Sequence, residues 1–201
     1  MDAAIDDLPM AQQRSIWPQL IAPRPIALVS SLSADGRHNI APYNSFSGLA
    51  TSPPMIGLSI GSRRSGEKRT LDCIRQHSAF VINLVPRFLA DIMIQAAEDV
   101  AEPGDDFERL GLKPMPARHV PGSRIQECPA ALECKVTQTV AMPPSRAALV
   151  IAQVVGVSIR DEFYDSEKGF DGLAADLLAS IGIDQYVSVN GETLTLPVTW
   201  E

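Results

Sequence analysis

The chain has 201 residues, is 45% hydrophobic and 20% charged, and carries a formal net charge of -7. That is enough chain to bury one core and a small appendage, and the composition is that of a globular protein. The acidic balance speaks against a nucleic-acid-binding surface, which needs a basic face.

Three cysteines (Cys73, Cys128, Cys134) and three histidines (His38, His77, His119) are scattered with no metal-ligand spacing. They predict buried thiols in a reducing compartment and no zinc site. The acidic start, Met1 to Asp7, has no apolar stretch and reads as no signal peptide, and no run approaches the roughly 20 apolar residues of a membrane span. The expectation is a cytoplasmic protein with neither nucleic-acid nor membrane partners.

In chain order, Met10 to Trp17 suits a short helix ahead of Pro18. Ala22-Pro23-Arg24-Pro25 sets an extended entry, because each proline fixes its own φ and biases its predecessor away from helix. Ile26 to Leu32 is rich in β-formers. Asp35-Gly36 favours a tight hairpin turn, and His38 to Tyr43 is the return strand. Asn44 to Ser52 follows as an uncharged connection bearing Asn44, Ser45, Ser47, Thr51 and Ser52, and it stops at Pro53-Pro54. Such a stretch suits the edge of a planar polar ligand, and equally a tight loop whose hydroxyls cap their own backbone. Met55 to Ile60 is the next strand.

Gly61 to Thr70 is the most basic stretch, with four Lys or Arg in ten residues, and it runs into a helix predicted over Lys68 to Gln76. Positive charge, hydroxyls and a helix N-terminus together make a competent phosphate site, the alternative being a solvated basic turn. Further on, Ala79 to Val85 reads as a strand and Arg87 to Glu98 as an amphipathic helix. The acidic segment Glu98 to Glu108 reads as a solvated loop with a helical turn near Asp106 to Leu110. Lys113 to Pro116 and Val120 to Gly122 read as irregular connection. Ala131 to Val140 and Ala147 to Ile159 are long strands. A helix near Gly172 to Ser180 and a hairpin, Gln185 to Val189 with Thr193 to Leu196, complete the chain. Six to eight strands with few helices predict a mainly β, antiparallel barrel in one domain over 1–201, with a core at 23–160, a lead-in at 1–22 and an extension at 161–201.

There is no G-x-S-x-G, H-E-x-x-H, P-loop or G-x-G-x-x-G after a strand, and no histidine stands beside a distinctive serine. What remains is a neutral hydroxyl-bearing connection one strand away from a basic turn. That pair suits a planar, hydrogen-bonding head with an anionic tail, and FMN has both.

The segments R-P-I-A-L-V-S-S-L-S-A-D-G-R-H-N-I-A-P-Y-N-S-F, S-P-P-M-I-G-L-S-I-G, E-K-R-T-L-D-C-I and A-F-V-I-N-L-V, in this order, resemble the flavin reductase-like family. So do D-D-F-E-R-L-G-L and A-A-L-E-C-K-V downstream. The resemblance runs from about Pro23 to about Ile159 and includes nitrilotriacetate-monooxygenase reductase components and flavoredoxin. It implies an FMN-binding split β-barrel of Greek-key-like connection, and a homodimer with FMN near the subunit interface. It implies that Asn44, Ser45, Phe46, Ser47 and Thr51 contact the isoalloxazine and ribityl chain, and that Ser59, Ile60 and Gly61 lie along the flavin. It places the phosphate at Lys68, Arg69 and Thr70, with Arg69 where relatives carry Asp. Near the C-terminus Tyr186 fits the family pattern, while Ser180 stands where relatives carry Arg. The implied activity is NAD(P)H-dependent reduction of FMN, with NADH or NADPH as donor and a monooxygenase or another flavin acceptor as partner. The alternatives are an FMN-binding electron carrier or redox sensor without NAD(P)H oxidation, and a ligand-free β-barrel interaction protein. No residue is singled out as catalytic, because hydride transfer between nicotinamide and flavin depends on alignment more than on an acid or base.

Overall fold

The computed structural model describes residues 2–62, 66–100, 104–191 and 193. After α1 (Met10–Leu20), the chain forms β1 (Arg24–Pro25), β2 (Ala27–Leu32), β3 (His38–Tyr43), β4 (Phe46–Thr51) and β5 (Pro54–Ile60). Next come α2 (Arg69–His77), β6 (Ala79–Leu84), α3 (Ala90–Gln95), α4 (Asp106–Leu110), β7 (Pro114–Pro116) and β8 (Ser123–Ile125). The long strands β9 (Ala130–Ala141) and β10 (Ala148–Ile159) lead to β11 (Tyr164–Asp165), β12 (Gly169–Phe170), β13 (Leu177–Ser180) and β14 (Tyr186–Val189).

Seven strands make the main sheet in the order β3-β2-β6-β9-β10-β5-β4, every pair antiparallel. Its two edge strands, β3 and β4, are consecutive in sequence and joined by Asn44 and Ser45 alone. Laid flat, edges six strand spacings apart would be separated by about 29 Å. Two linking residues bridge about 11 Å at most. The sheet must therefore roll up until its edges nearly meet, which makes it a barrel with a slit. Register shifts between Ile151 and Ala152 and between Val154 and Gly156 help it curl. At Gly156 a Cβ would stand 2.5 Å from His119 Cδ2, so only glycine leaves room for that ring.

Alternation divides the side chains of β2 between two cores. Ala27 and Val29 join Tyr43, Ile56, Leu58, Ile60, Phe80, Ile82 and Val150 in the barrel, where Leu71 and Ile74 of α2 also pack. Ile26 and Leu28 face a second cluster with Met93 of α3, Phe107 and Leu110 of α4, and Ile125. The three cysteines are buried and free, and burial pushes the Cys134 thiol up to about 12.

Three expectations need correction. Asn44 to Ser52 is not a loop: Phe46 to Thr51 pairs with β5 in the register Phe46↔Leu58 and Ser47↔Gly57. Ser, Gly and Ala are poor strand formers, but pairing and the fit of Leu49 over Gly57 override local preference here. The helix expected near Gly172 to Ser180 is replaced by a turn, in which Asp171 Oδ1 accepts from Leu173 and Ala174, followed by strand β13. Strand β14 pairs with β13, and residues 194–196 of the hairpin expected between Gln185 to Val189 and Thr193 to Leu196 lie outside the described residues. Finally, Lys113 to Gly122 is not wholly irregular, because β7 and β8 form a small hairpin.

The helices at Lys68 to Gln76 and Asp106 to Leu110 form as expected. The one expected over Arg87 to Glu98 is split into a 3-10 turn at Arg87–Leu89 and α3. No helix among the described residues is long and apolar enough to cross a membrane.

Candidate functional site

The site lies where the first residues of α2 come up against the free edge of β3. A cleft of about 590 Å³ is bounded there by Asn39 to Pro42, by Lys68, Arg69 and Thr70, and by Asp106 and Arg109 across from them. Thr70 is buried, and its Oγ1 accepts from Asn39 Nδ2 at 3.0 Å. Asn39 Nδ2 is 3.4 Å from Ser31 Oγ, tying the start of α2 to β2 and β3. Lys68 Nζ stands 4.9 Å from the ring centroid of Tyr43, a cation–π contact directed toward the end of β3.

Two carboxylates finish the edge of β3. Asp105 Oδ2 accepts from His38 N at 2.9 Å, and Asp106 Oδ2 accepts from Ile40 N at 2.8 Å. The next outward-facing position is Pro42, which has no N–H to satisfy. Asp105 also caps α4 by accepting from Phe107 N at 2.9 Å, and it faces His38 Nδ1 at 2.9 Å. Burial would raise the Asp105 carboxyl, but the hydrogen bonds from His38 and Phe107 outweigh it and hold the group below its ordinary value. Asp106 is 3% exposed and receives Arg109 Nε at 2.7 Å, while Arg69 Nη1 stands 4.0 Å away.

A smaller cavity of about 130 Å³ adjoins the cleft, sharing Pro42 and Ala97 with it, and is walled by Tyr43, Asn44, Ile94 and Tyr186. Tyr186 is held by its register: Arg24, Ser180 and Tyr186 are direct cross-strand partners through β1, β13 and β14. Arg24 Nη2 donates to Ser180 Oγ at 3.1 Å and to the Gly182 carbonyl at 3.0 Å. A guanidinium from β1 thus reaches position 180, where the family resemblance implies an arginine and this sequence has serine.

The sequence-selected residues fall into three groups. Lys68, Arg69 and Thr70 meet in the large cleft, and Asn44 borders the small cavity. Ser45, Phe46, Ser47 and Ser59 gather where β4 enters the sheet. There Ser45 Oγ donates to the Ser59 carbonyl at 2.7 Å, and Ser59 N to the Ser45 carbonyl at 2.8 Å. Ser47 Oγ donates to the neighbouring Gly48 carbonyl, so part of this stretch does satisfy its own backbone. Phe46 packs partly buried against the barrel core, while Ser47 is exposed.

The remaining three are less alike. Ile60 is 1% exposed inside the barrel, so only its backbone can face a ligand. Gly61 is exposed with open space around it. Thr51 closes the far end of β4, about 17 Å along the strand from Phe46. Arg63, Arg64 and Ser65 of the basic turn lie outside the described residues. Asn39, Tyr43, Asp105, Asp106 and Arg109 were not singled out from the sequence. For the last three the signal was the D-D-F-E-R segment, whose carboxylates face a strand edge rather than solvent.

The fold is thus an antiparallel barrel slit along one seam, with a cleft at the seam's end that carries both cationic and carboxylate side chains. Residues 21–174 match the family described as "Flavin reductase like domain", and the chain belongs to that family. A protein of Deinococcus radiodurans carrying the name "Uncharacterized protein" is 31% identical over 182 residues, covering 87% of this chain and 79% of its own length. Among solved structures, the 2-nitrobenzoate 2-nitroreductase of Pseudomonas fluorescens superposes with a TM-score of 0.87 at 27% identity, covering 98% of this chain and 96% of its own. The flavoredoxin of Desulfovibrio vulgaris (Miyazaki F) gives a TM-score of 0.76 at 25% identity, covering 87% and 90%. Nitrilotriacetate monooxygenase component B from Bacillus cereus, with a TM-score of 0.90 at 19% identity over 98% of each chain, shares the fold.

Proposed function

We propose that the chain is an NAD(P)H-dependent FMN reductase that delivers reduced flavin, or electrons from it, to a separate acceptor such as a monooxygenase. The observation that carries this reading is the meeting of Lys68, Arg69 and Thr70 at the start of α2, in a cleft that adjoins the cavity beside Asn44. An FMN phosphate of about -1.5 to -2 charges suits a helix N-terminus flanked by a lysine and a guanidinium. Asn44, Ser45, Phe46 and Ser47, with Ser59 to Gly61 behind them, supply neutral donors and acceptors for the isoalloxazine edge. Thr51, at the other end of β4, reaches a flavin only if that flavin belongs to a second copy of the chain. That fits a homodimer with its cofactors near the interface, as do the exposure of Leu49 and the unpaired outer edge of β4.

Bound FMN supplies the electron-accepting ring system. The protein residues hold its phosphate, orient its ring and keep a slot open for the nicotinamide. Stacking alignment, rather than a side-chain acid or base, sets the rate of such a transfer. Tyr186 and Tyr43 wall the small cavity and offer flat apolar faces against which a ring can lie.

The similarity to flavoredoxin favours one second reading, an FMN-binding electron carrier that does not itself oxidise NAD(P)H. Purified protein mixed with FMN and NADH or NADPH separates the two through the nicotinamide absorbance. The reductase reading expects oxidation above the protein-free rate with at least one nucleotide. FMN binding without any such oxidation transfers the assignment to the carrier.

A further inference from the structure

The barrel carries another cavity, of about 450 Å³, which shares no residue with the cleft at the β3 edge. Strand β10 pairs with Ile60 through Ala148 and borders this cavity with Ile159, about 36 Å further along the strand. It therefore lies at the other end of the barrel from Ser59 to Gly61.

One wall is the outer face of the β7–β8 hairpin. Met115 stands directly across from Arg124, and the Gln126 N–H donates to the Lys113 carbonyl at 3.0 Å. Alternation then puts Lys113, Met115, Arg124 and Gln126 on one face, and all four border the cavity. Ile125, between Arg124 and Gln126, points the other way and is buried. The other wall is Ile159 and the turn that follows it.

Two cations on the hairpin face are uncommitted. Neither the Lys113 ammonium nor the half-buried Arg124 guanidinium has a hydrogen bond or ion pair among the described residues. Elsewhere Arg37 pairs with Asp35, Arg75 with Glu67 and Arg109 with Asp106. The carboxylates on this cavity do not offer Lys113 and Arg124 the same match. Glu162 is held by Arg160, and Glu127 takes the Lys113 backbone N–H on both oxygens at 3.2 Å. Asp161 is exposed on the other wall, which leaves two open cations against one open carboxylate.

The spacing of the two cations selects a ligand. Lys113 and Arg124 are diagonal neighbours on an antiparallel pair, with Cα atoms about 7–8 Å apart, and Met115 adjoins both. An anion with two carboxylates on a short methylene spacer reaches both cations and lays its apolar link against Met115 and Ile159. The planar guanidinium fork matches one carboxylate in a bidentate fashion, and the ammonium takes the other as a point charge. A volume equal to about fifteen water molecules admits such a ligand.

We propose that this cavity is a binding site for a short dicarboxylate, held by Arg124 at one end and by Lys113 at the other. The site is independent of the flavin reading, because none of its residues belongs to the cleft.

Calorimetric titration of the full chain with succinate, acetate and inorganic phosphate, with and without excess FMN, tests it. Succinate is expected to bind the wild type with a Kd below about 1 mM and at least about tenfold more tightly than acetate or phosphate. Arg124→Ala should weaken succinate at least about tenfold, the worth of a charge-assisted bond. Arg124→Lys and the exposed Lys113→Ala should each weaken it about threefold. Arg124→Lys decides the matter if Arg124→Ala does not fold. FMN affinity should be the same in all variants.

A wild-type Kd for succinate weaker than about 1 mM overturns the site, as does an affinity that no Arg124 or Lys113 variant alters. Loss of succinate binding in excess FMN also overturns it, since that places succinate in the cleft. Acetate or phosphate binding as tightly as succinate leaves only a general anion site, and the dicarboxylate assignment falls.

Discussion

At one edge of the main sheet, β3 turns the N–H groups of His38 and Ile40 onto two carboxylates and puts Pro42 at the next outward position. At the other edge, β4 offers Ser47, Gly48, Leu49, Ala50 and Thr51, all exposed, with no charge and no proline among them. An unpaired strand edge invites pairing with another chain unless it is blunted. The first edge is finished from within by Asp105 and Asp106, and so can serve as one wall of a rigid cleft. The second is left bare, and under the proposed function its use is recognition, by a flavin on one side and a second protomer on the other.

The most damaging way to break this contrast is Asp106→Ala. It leaves the Ile40 N–H and the Arg109 guanidinium without their partner, and removal of one member of a buried pair costs about 3–5 kcal/mol. Urea unfolding should show that loss as a lower midpoint with an unchanged slope. Lys68→Glu tests the cleft that the finished edge supports. Reversing the charge should weaken FMN binding at least about tenfold while thermal stability changes little, and unaltered FMN affinity would refute the phosphate assignment.

Leu49→Lys carries the test to the bare edge. A charge there should lower self-association, read as a smaller sedimentation coefficient, with unfolding free energy within about 0.5 kcal/mol of the wild type when the protomers are compared.

The smallest effect concerns acid. The folded value of Asp105 lies below its unfolded value of about 3.9, so its contribution is present above that pH and is lost as pH falls through the folded value. Asp105→Asn should flatten the acid limb of the stability curve below about pH 4. A limb as steep as that of the wild type would show that other carboxylates dominate it.

The inner strands of the barrel were legible because they bury on both faces and carry short apolar runs, as in Ile26 to Val29 and Ala79 to Ile82. The bare edge was not legible as a strand. Phe46 to Thr51 has little β-propensity, and only its pairing with β5 and the seat of Leu49 on Gly57 make it one. The Ala- and Leu-rich run Leu173 to Ser180 misled in the opposite sense, since it reads as a helix until Asp171 caps a turn and Leu178 N bonds to the Val85 carbonyl. The basic half of the candidate site was visible in Lys68 to Thr70. Its acidic complement was not, because nothing local tells a carboxylate that caps a distant strand from one that faces water. His38 and Asp105 are 67 positions apart, and only the rolled sheet brings them together.

Asn44 and Ser45 are the whole of the chain that crosses the slit between β3 and β4. At that end the separation of the two edges is fixed by covalent length, as a gauge block sets the jaws of a clamp, while hydrogen bonds and packing hold the rest of the barrel around it. The opening beside Tyr43 therefore keeps its width however the surface loops move. Under the proposed function, a natural insertion or deletion at this one point would change the thickness of the ring that the slot accepts more directly than any substitution along its walls.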